Sequence, residues 1–376
     1  MTFPRLLESA YYNYKYDISR NGVGFLSDAT ECTVTEELNG GYTLSMSYPV
    51  GGAHWLDIDV GMVIVCKPND LSADQPFVIK KISKAMGGAI KIDAEHLSYN
   101  ASGIMVSGFS ATSAAEFSIG ISRNAVDNNA AHGLIFQTEI DKAGSYDGAN
   151  QPPRSMRALL LDNKNSFVSI YGGELDYDGR YIYAVRQRGA DNGVTIRYGK
   201  NLIAMTQNRS IRQSASSGYP YWYKKDKDTS QYVELPEKII KYENVFERLK
   251  NAKKTELIDL SKEFDSAPSV DDLRSAAWKW HTENLQTQPK YTISLSFVEL
   301  AKTTEYAEYA KLGLPGESVM LGDTLTVINP EMEISAKLRV VKAVYDALAG
   351  RYKSVDVGDP IDTLADTIIK MRGQTT

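Results

Sequence analysis

Apolar and polar side chains alternate in short runs over residues 20–100, and this alternation most constrains the fold. In "YTLSMS", the apolar Tyr42, Leu44 and Met46 are separated by small hydroxyl residues. A period of two residues is typical of a strand with one buried face. Comparable runs, divided by turn residues, are "VGMVIVCKP", "QPFVIKKISK" and "GGAIKIDAEHLSY". This region is therefore predicted to form a β-sandwich or β-barrel.

Helical signals follow between residues 106 and 165. Ser113 and Glu116 have the spacing of a capping box ahead of Phe117, and Ser155 precedes "MRALLL". Two short helices are therefore predicted on either side of the strand "GLIFQTEI". Strands are then predicted again in "SFVSIYGGEL", "RYIYAVRQR" and "GVTIRYG".

Apolar spacing becomes helical between residues 213 and 289. It does so in two runs, Ile239, Tyr242, Phe246 and Leu249, then Leu273, Ala276, Ala277 and Trp280. A mainly helical insertion is predicted there. Strands resume in "YTISLSFVEL", "GDTLTVIN", "AKLRVVKAVYDAL" and "RYKSVDVG". Asp359 and Pro360 can begin a final amphipathic helix.

These textures predict an α+β fold that is mainly β, with several sub-domains, because 376 residues exceed the roughly 100 to 200 of a usual domain. The predicted parts are a β-barrel-like domain (1–105), a small α/β domain (106–165), a second β-barrel-like domain (166–212 and 290–359), the helical insertion (213–289) and a C-terminal helix (360–372).

Composition excludes some classes of function. The 42 basic and 47 acidic side chains give a net charge of -5, so no global field attracts nucleic acid or an anionic membrane. No stretch approaches the ~20 apolar residues of a membrane span, and the start has no signal-peptide pattern. Cys32 and Cys66 fall in strand-like runs rather than in a metal spacing, and are predicted to be buried thiols.

The stretch "YGGELDYDGRYIYAV" presents two alternatives. Glu174, Asp176, Asp178 and Gly179 stand at the first, third, fifth and sixth places of an EF-hand loop, but the twelfth place holds Val185 instead of a bidentate Glu. The flanking runs are β-branched and aromatic. A hairpin turn with Gly179 in the left-handed region is therefore predicted, without calcium.

Other signals of site chemistry are weak. "GVTIRYGKN" lacks both the glycine spacing and the hydroxyl of a phosphate loop, and the four histidines stand apart from one another. No GxSxG elbow is present, although close carboxylate pairs are expected among 47 acidic residues. No catalytic, cofactor-binding or metal-binding residue is therefore predicted, and no cofactor.

An aromatic cluster stands out in the insertion. Tyr219, Tyr221, Trp222 and Tyr223 lie within a polar stretch predicted to be a loop. Such a cluster serves a subunit contact, local packing, or a stacking platform for sugars or bases. A protein contact is the favoured interpretation.

Seven blocks stand in order along the chain, namely "CTVTEELNGGYTLSMSYP", "QPFVIKKISK", "IKIDAEHLSYNASG", "YGGELDYDGRYIYAVRQRGADNGVTIRYGKNL", "SFVEL", "LGDTLTVINPEMEISAKLRVVKAVYDALAGRY" and "VDVGDP". Together they resemble the N-terminal region of phage minor structural proteins, the tail hub family often labelled prophage endopeptidase tail or tail-associated lysin. The resemblance spans nearly the whole chain. It implies a hub fold similar to the baseplate hub of contractile phages, with two β-barrel-like domains that line a tube and two peripheral domains.

The resemblance also implies a function and partners. In the family, three copies form a ring at the tail tip, attached to the distal tail protein, next to the tape measure protein and surrounded by receptor-binding or adsorption proteins. DNA passes transiently, without specific binding, so Arg180, Arg186 and Arg188 are expected to face solvent or a neighbouring subunit. The expected location is the virion tail tip, after synthesis in the host bacterial cytoplasm.

Many relatives extend further, into a peptidoglycan hydrolase or a carbohydrate-binding module, whereas this sequence stops at Thr376. The resemblance therefore carries over no catalytic residue, and the protein is expected not to be an enzyme. Two alternatives stay open at this point, namely a hub that also hydrolyses cell-wall peptidoglycan and a module that binds host glycans through the aromatic cluster.

Overall fold

A computed structural model describes residues 3–8, 18–84, 88–126, 133–162, 164–210, 214–225, 229–243, 245, 247–261, 263–264, 266–284, 287, 290–299, 318–332 and 334–358. The predicted C-terminal helix (360–372) lies outside the described residues.

Strands dominate the described chain. Up to residue 185 they are β1 (Arg5–Leu7), β2 (Gly24–Phe25), β3 (Glu31–Glu37), β4 (Tyr42–Pro49), β5 (Val63–Cys66), β6 (Gln75–Lys84), β7 (Ala89–His96), β8 (Met105–Val106), β9 (Ser110–Ser113), β10 (Ile135–Thr138), β11 (Ala143–Asp147), β12 (Arg154–Ser155), β13 (Glu174–Asp178) and β14 (Tyr181–Val185). Beyond it they are β15 (Thr195–Arg197), β16 (Leu202–Ser210), β17 (Ser217–Lys225), β18 (Ser230–Glu234), β19 (Ile240–Lys241), β20 (Thr255–Asp259), β21 (Lys290–Phe297), β22 (Thr324–Asn329), β23 (Ile334–Asp346) and β24 (Arg351–Gly358).

Helices are short and few. They are α1 (Ala114–Asn124), α2 (Met156–Leu161), α3 (Phe167–Tyr171), α4 (Glu247–Ala252) and α5 (Val270–Asn284), with 3-10 turns at Leu97–Gly103 and Pro330–Met332. The mainly β fold is thus confirmed. Two compact units are present. The first, here the major unit, contains the described residues up to Met205 and Ser294–Val357, and the second, here the inserted unit, contains those from Thr206 to Ile293.

One sheet runs through the major unit in the order β16-β21-β24-β23-β3-β4-β7-β6-β5-β1-β2, and β22 and β15 branch from β23. β23 joins the two predicted barrel-like parts, because Ile334–Arg339 pairs with β22 while Lys342–Asp346 pairs with β3. The alternation predicted in β4 is confirmed, since Tyr42, Leu44, Met46 and Tyr48 are all buried.

The small α/β part also follows its predicted signals. Ser113 Oγ accepts the Glu116 backbone N–H at the start of α1, and Ser155 Oγ accepts the Ala158 N–H at the start of α2. The predicted strand before residue 140 is β10. Phe117 and Phe167 are fully buried in the core that this part shares with β3 to β7. Cys32 and Cys66 are buried free thiols, as predicted.

Two predictions around residue 170 need correction. "SFVSIYGGEL" is not one strand, because Ser166 and Ser169 form a capping box that starts the helix α3, and Gly172 and Gly173 then take positive φ before β13 begins. The predicted boundary at residue 165 also does not separate two sheets. β14 pairs with β10 in parallel and with β13 in antiparallel, so this hairpin belongs with the small α/β part.

The prediction of a mainly helical insertion is wrong. The inserted unit contains a four-stranded sheet, in which β17 pairs with β18, β19 and β20. Leu273 and Ala277 of α5 pack on this sheet as the helical spacing predicts. The other predicted helix fails at its start, because Ile240 and Lys241 pair with β17. The sheet was missed because its central pairing, β17 with β20, is parallel and joins distant residues.

Candidate functional site

The hairpin prediction for "DYDG" is confirmed. β13 and β14 pair from Glu174 opposite Val185 to Asp178 opposite Tyr181, and Gly179 in the turn has φ +56°. Glycine adopts that backbone region at the lowest cost, because it has no Cβ. We call β13, the turn and β14 the DYDG hairpin (Glu174–Val185).

The three carboxylates of the EF-hand-like pattern point to three different partners. Glu174 binds Arg339, Asp176 binds Arg188, and Asp178 accepts a hydrogen bond from Gln75. No group of three or more acidic, His or Cys side chains within the described residues is placed to hold a metal ion. The prediction that calcium does not bind here stays a prediction.

Arg188 lies at the centre of a buried charge network. Its Nη1 is 2.8 Å from Glu36 Oε1, and its Nη2 is 2.9 Å from Asp176 Oδ1. The side chains of Arg188 and Glu36 are only 10% and 8% exposed. Burial raises the pKa of Glu36, and Arg188 opposes that shift. Glu36 lies on the inward face of β3, so the buried carboxylate requires this guanidinium.

This pairing corrects the expectation that Arg188 faces solvent or a neighbouring subunit. Its guanidinium is taken up inside its own chain, where it joins β3 to β13. Arg186 is exposed, as expected. The strand predicted over "RYIYAVRQR" ends at Val185, so Arg186 and Arg188 lie beyond it. The alternation of side chains therefore no longer applies to them.

Arg339 on β23 completes the network. It forms a two-pronged ion pair with Glu174, with Nη2 2.6 Å from Oε2. The same Nη2 donates to the Arg188 carbonyl at 2.6 Å, and Nε donates to the Gly322 carbonyl at 2.8 Å. The Arg188 N–H in turn donates to Glu174 Oε2 at 2.7 Å. We call Glu36, Glu174, Asp176, Arg188 and Arg339 the charge network.

Two glycines allow two backbone segments to pass close to each other beside this network. Gly189 and Gly322 have φ +69° and +90°. A Cβ on Gly189 would lie 2.2 Å from the Gly322 carbonyl carbon, and one on Gly322 would lie 2.5 Å from the Arg188 oxygen. Asp323 fastens the crossing, because its carboxylate accepts the N–H groups of Ala190 and Met320, each at 2.8 Å. Neither glycine was identified from the sequence.

A second set of hydrogen-bonded side chains holds the tip of the DYDG hairpin. The Gly179 N–H donates to Gln75 Oε1 at 2.8 Å. The His96 ring lies behind it, with Nε2 3.2 Å from the same oxygen, while Nδ1 accepts the Ser98 N–H. His96 is therefore the neutral Nε2–H tautomer. Burial lowers its pKa to about 3, and its ring stacks on Tyr42 at 4.5 Å.

A cavity of about 490 Å³ opens between the hairpin and the network. Its lining contains four carboxylates, those of Glu36, Glu139, Asp176 and Asp178, and one guanidinium, that of Arg188. We call it the acidic cavity. Its described lining contains none of the groupings that activate a nucleophile, because its polar side chains are four acids, two amides, two tyrosines, one serine and one arginine.

The predicted aromatic loop is a strand, β17, in which alternate residues point to opposite faces. Trp222 is fully buried in the core of the inserted unit, and its Nε1 donates to the Phe264 carbonyl at 3.0 Å. It therefore contacts no external partner, which corrects that part of the prediction. Tyr223 is 42% exposed, and Tyr221 stacks on Tyr232. For Tyr219, Tyr221 and Tyr223 an interaction role stays a prediction.

Residues 190–367 match the family model described as prophage endopeptidase tail. A comparison with curated proteins finds no match. Within the described residues, no helix combines the length and apolar character needed to cross a membrane.

Three solved structures share the fold over most of the chain. The prophage tail protein gp18 from Listeria monocytogenes EGD-e is 13% identical with a TM-score of 0.53, and 99% of each chain is covered. The 43 kDa tail protein of prophage MuSo2 from Shewanella oneidensis is 10% identical with a TM-score of 0.55, over 88% of this chain and 94% of that one. A tail protein from Neisseria meningitidis MC58 is 10% identical with a TM-score of 0.51, over 88% and 92%. At these identities the likeness concerns the fold. The resemblance predicted from the sequence is thereby confirmed, since the chain has the fold of prophage tail proteins and residues 190–367 match the prophage endopeptidase tail family.

Proposed function

We propose that the protein is a structural hub of a phage or prophage tail tip, in which three copies form a ring around the path of the DNA. The observation that carries this proposal is the agreement of two independent comparisons, of fold and of family. The distal tail protein, the tape measure protein and the adsorption proteins are the proposed neighbours. The proposed location is the virion, after synthesis in the host cytoplasm.

The buried charge network of the major unit suits a structural protein. The charge network ties β3, β13 and β23 together at residues far apart in sequence. A buried pair that loses one partner leaves an uncompensated charge, so such a network resists partial opening. A ring through which DNA is ejected benefits from subunits that keep one shape.

A structural rather than catalytic role is part of the proposal. The acidic cavity pairs its innermost carboxylate with Arg188 instead of exposing it to a substrate. A zymogram on host cell walls tests this part, and a zone of lysis by the purified protein would contradict it.

Gold-labelled antibodies on negatively stained virions test the proposed location. We expect label at the distal end of the tail, beyond the tube, in particles from an induced lysogen. Label along the tube, or particles without label although antibody binds the purified protein, would contradict it. Particles from a strain lacking the gene provide the control.

A further inference from the structure

The hairpin formed by β6 and β7 runs from the acidic cavity to a cluster of exposed lysines. β6 begins at Gln75, which lines the acidic cavity, and ends nine residues on at Lys84. At about 3.3 Å per residue, its ends are roughly 30 Å apart. The hairpin thus connects an acidic end and a basic end of the major unit.

The basic end consists of Lys81, Lys84 and Lys91, here the lysine tip. All three side chains are exposed, and within the described residues none of them makes an ion pair or a side-chain hydrogen bond. Asp93 lies opposite Lys81 across the hairpin. Lys84 and Lys91 face Ile90 and Ser83, which carry no charge. An excess of positive charge therefore stays unneutralised at this end.

The acidic end has an excess of negative charge. Arg188 is shared between Glu36 and Asp176. Glu139 and Asp178 are exposed and bind only the Arg186 backbone N–H and the Gln75 amide. Neither has a cationic partner among the residues described. The acidic cavity is open to an incoming positive group, and its volume of about 490 Å³ accommodates long side chains.

We infer that the lysine tip of one copy docks at the acidic cavity of the next copy. Contact between two different surfaces of one chain is heterologous, and such contacts form a closed ring when the rotation between copies closes. Opposite charges at the two ends favour contact between unlike ends and disfavour any pairing in which like ends meet. The inference rests on the proposed ring and adds the surfaces that form it.

Charge exchange tests the contact. The first variant carries Lys84→Glu and Lys91→Glu, the second carries Glu139→Lys and Asp178→Lys, and the third combines all four changes. A control variant, Arg123→Glu with Arg197→Glu, reverses two exposed charges elsewhere on the major unit. Each is followed by sedimentation velocity over a concentration series at low and high salt, and circular dichroism melting establishes that each variant folds.

We expect the wild-type chain and the control to form trimers that weaken at high salt. The first and second variants should associate at least tenfold more weakly, and the combined variant should recover, because its reversed ends are again complementary. If both two-charge variants form trimers as the wild type does, the contact lies elsewhere and the proposed ring stands. If the two-charge variants associate more weakly but the combined variant does not recover association, this pairing of surfaces is also wrong. A wild-type chain that is monomeric or two-fold at every concentration contradicts the ring itself.

Discussion

Arg339 and Glu174 are 165 positions apart in the sequence, yet they form a two-pronged, almost fully buried ion pair. The pair attaches the DYDG hairpin to β23, the strand shared by the two halves of the large sheet. Because the same guanidinium also holds the carbonyls of Arg188 and Gly322, one side chain links three chain segments. The stability of the major unit should therefore depend on it.

Arg339→Met is expected to reduce the free energy of unfolding by about 3 to 5 kcal/mol, because it leaves the Glu174 carboxylate buried without its counter-charge. Lys337→Met provides a matched control on the same strand. Lys337 forms an exposed pair with Asp191, and its loss should cost much less than the loss of the buried pair. Urea denaturation measures both. Equal losses of unfolding free energy in the two variants would show that the buried pair contributes no more to stability than the exposed one.

The glycine crossing gives a second prediction. Gly189→Ala should destabilise the protein more than Gly193→Ala, although both residues have positive φ, +69° and +73°. A Cβ at Gly193 meets nothing within 4 Å, whereas one at Gly189 meets the Gly322 backbone. The Gly193 change should cost about 1 kcal/mol for the backbone conformation, and the Gly189 change about 1 to 3 kcal/mol more. Thermal melts that rank the variants in the opposite order would refute the crossing.

His96 predicts a specific pH dependence. Its pKa is about 3 in the folded protein and about 6.5 when unfolded, so the unfolded state binds more protons between these values and stability falls as the pH falls below 6.5. At pH 5 the loss should be about 2 kcal/mol relative to neutral pH. Glu36, whose pKa is raised, has the opposite effect. At pH values above the ordinary pKa of a glutamate, its contribution to stability falls as the pH rises.

The His96→Gln variant isolates the histidine contribution. Its stability, measured by urea denaturation at pH 7 and pH 5, should change less between the two values than that of the wild type. The same change in both proteins would mean that the buried ring does not stay neutral.

Trp222 and Tyr223 are neighbours with opposite expected roles. Trp222→Ala should destabilise the inserted unit by about 3 to 5 kcal/mol, because it empties the centre of that core. Tyr223→Ala should cost under about 0.5 kcal/mol, since its ring is exposed. Hydrogen exchange of the β17 and β20 amides measures both. Protection lost in the Tyr223 variant but kept in the Trp222 variant would reverse the assignment of the two faces.

The strands of the major unit could be predicted because their signal is local. β4 carries its alternation within eight residues, and "DYDG" contains its own turn chemistry. The inserted sheet gave a misleading signal at Pro220, since proline argues against a central strand. In the structure Pro220 lies where β17 has no partner on the β18 and β19 side, between the pairs at Gly218 and Tyr221. Neighbouring residues of a strand direct their backbone groups to opposite sides, and Tyr221 directs its carbonyl toward β20. The nitrogen of Pro220, which has no N–H, therefore faces the gap.

The candidate site could be predicted only in part. The hairpin and its left-handed glycine followed from six residues of sequence. The charge network did not, because Glu36, Arg188 and Arg339 come from three distant segments, and no local pattern indicates which charges pair. Two signals existed in retrospect. Glu36 interrupts the apolar face of β3, and Arg339 lies within the apolar run "AKLRVVKAVY", where a charged residue requires a partner.

The ring is the central claim, and electron microscopy of the purified protein tests it most directly. Class averages viewed along the particle axis should show three equal subunits around an axial hole, which is the symmetry of a heterologous contact that closes after three copies. Class averages with two-fold symmetry, or with three subunits and no axial hole, would contradict the proposed hub.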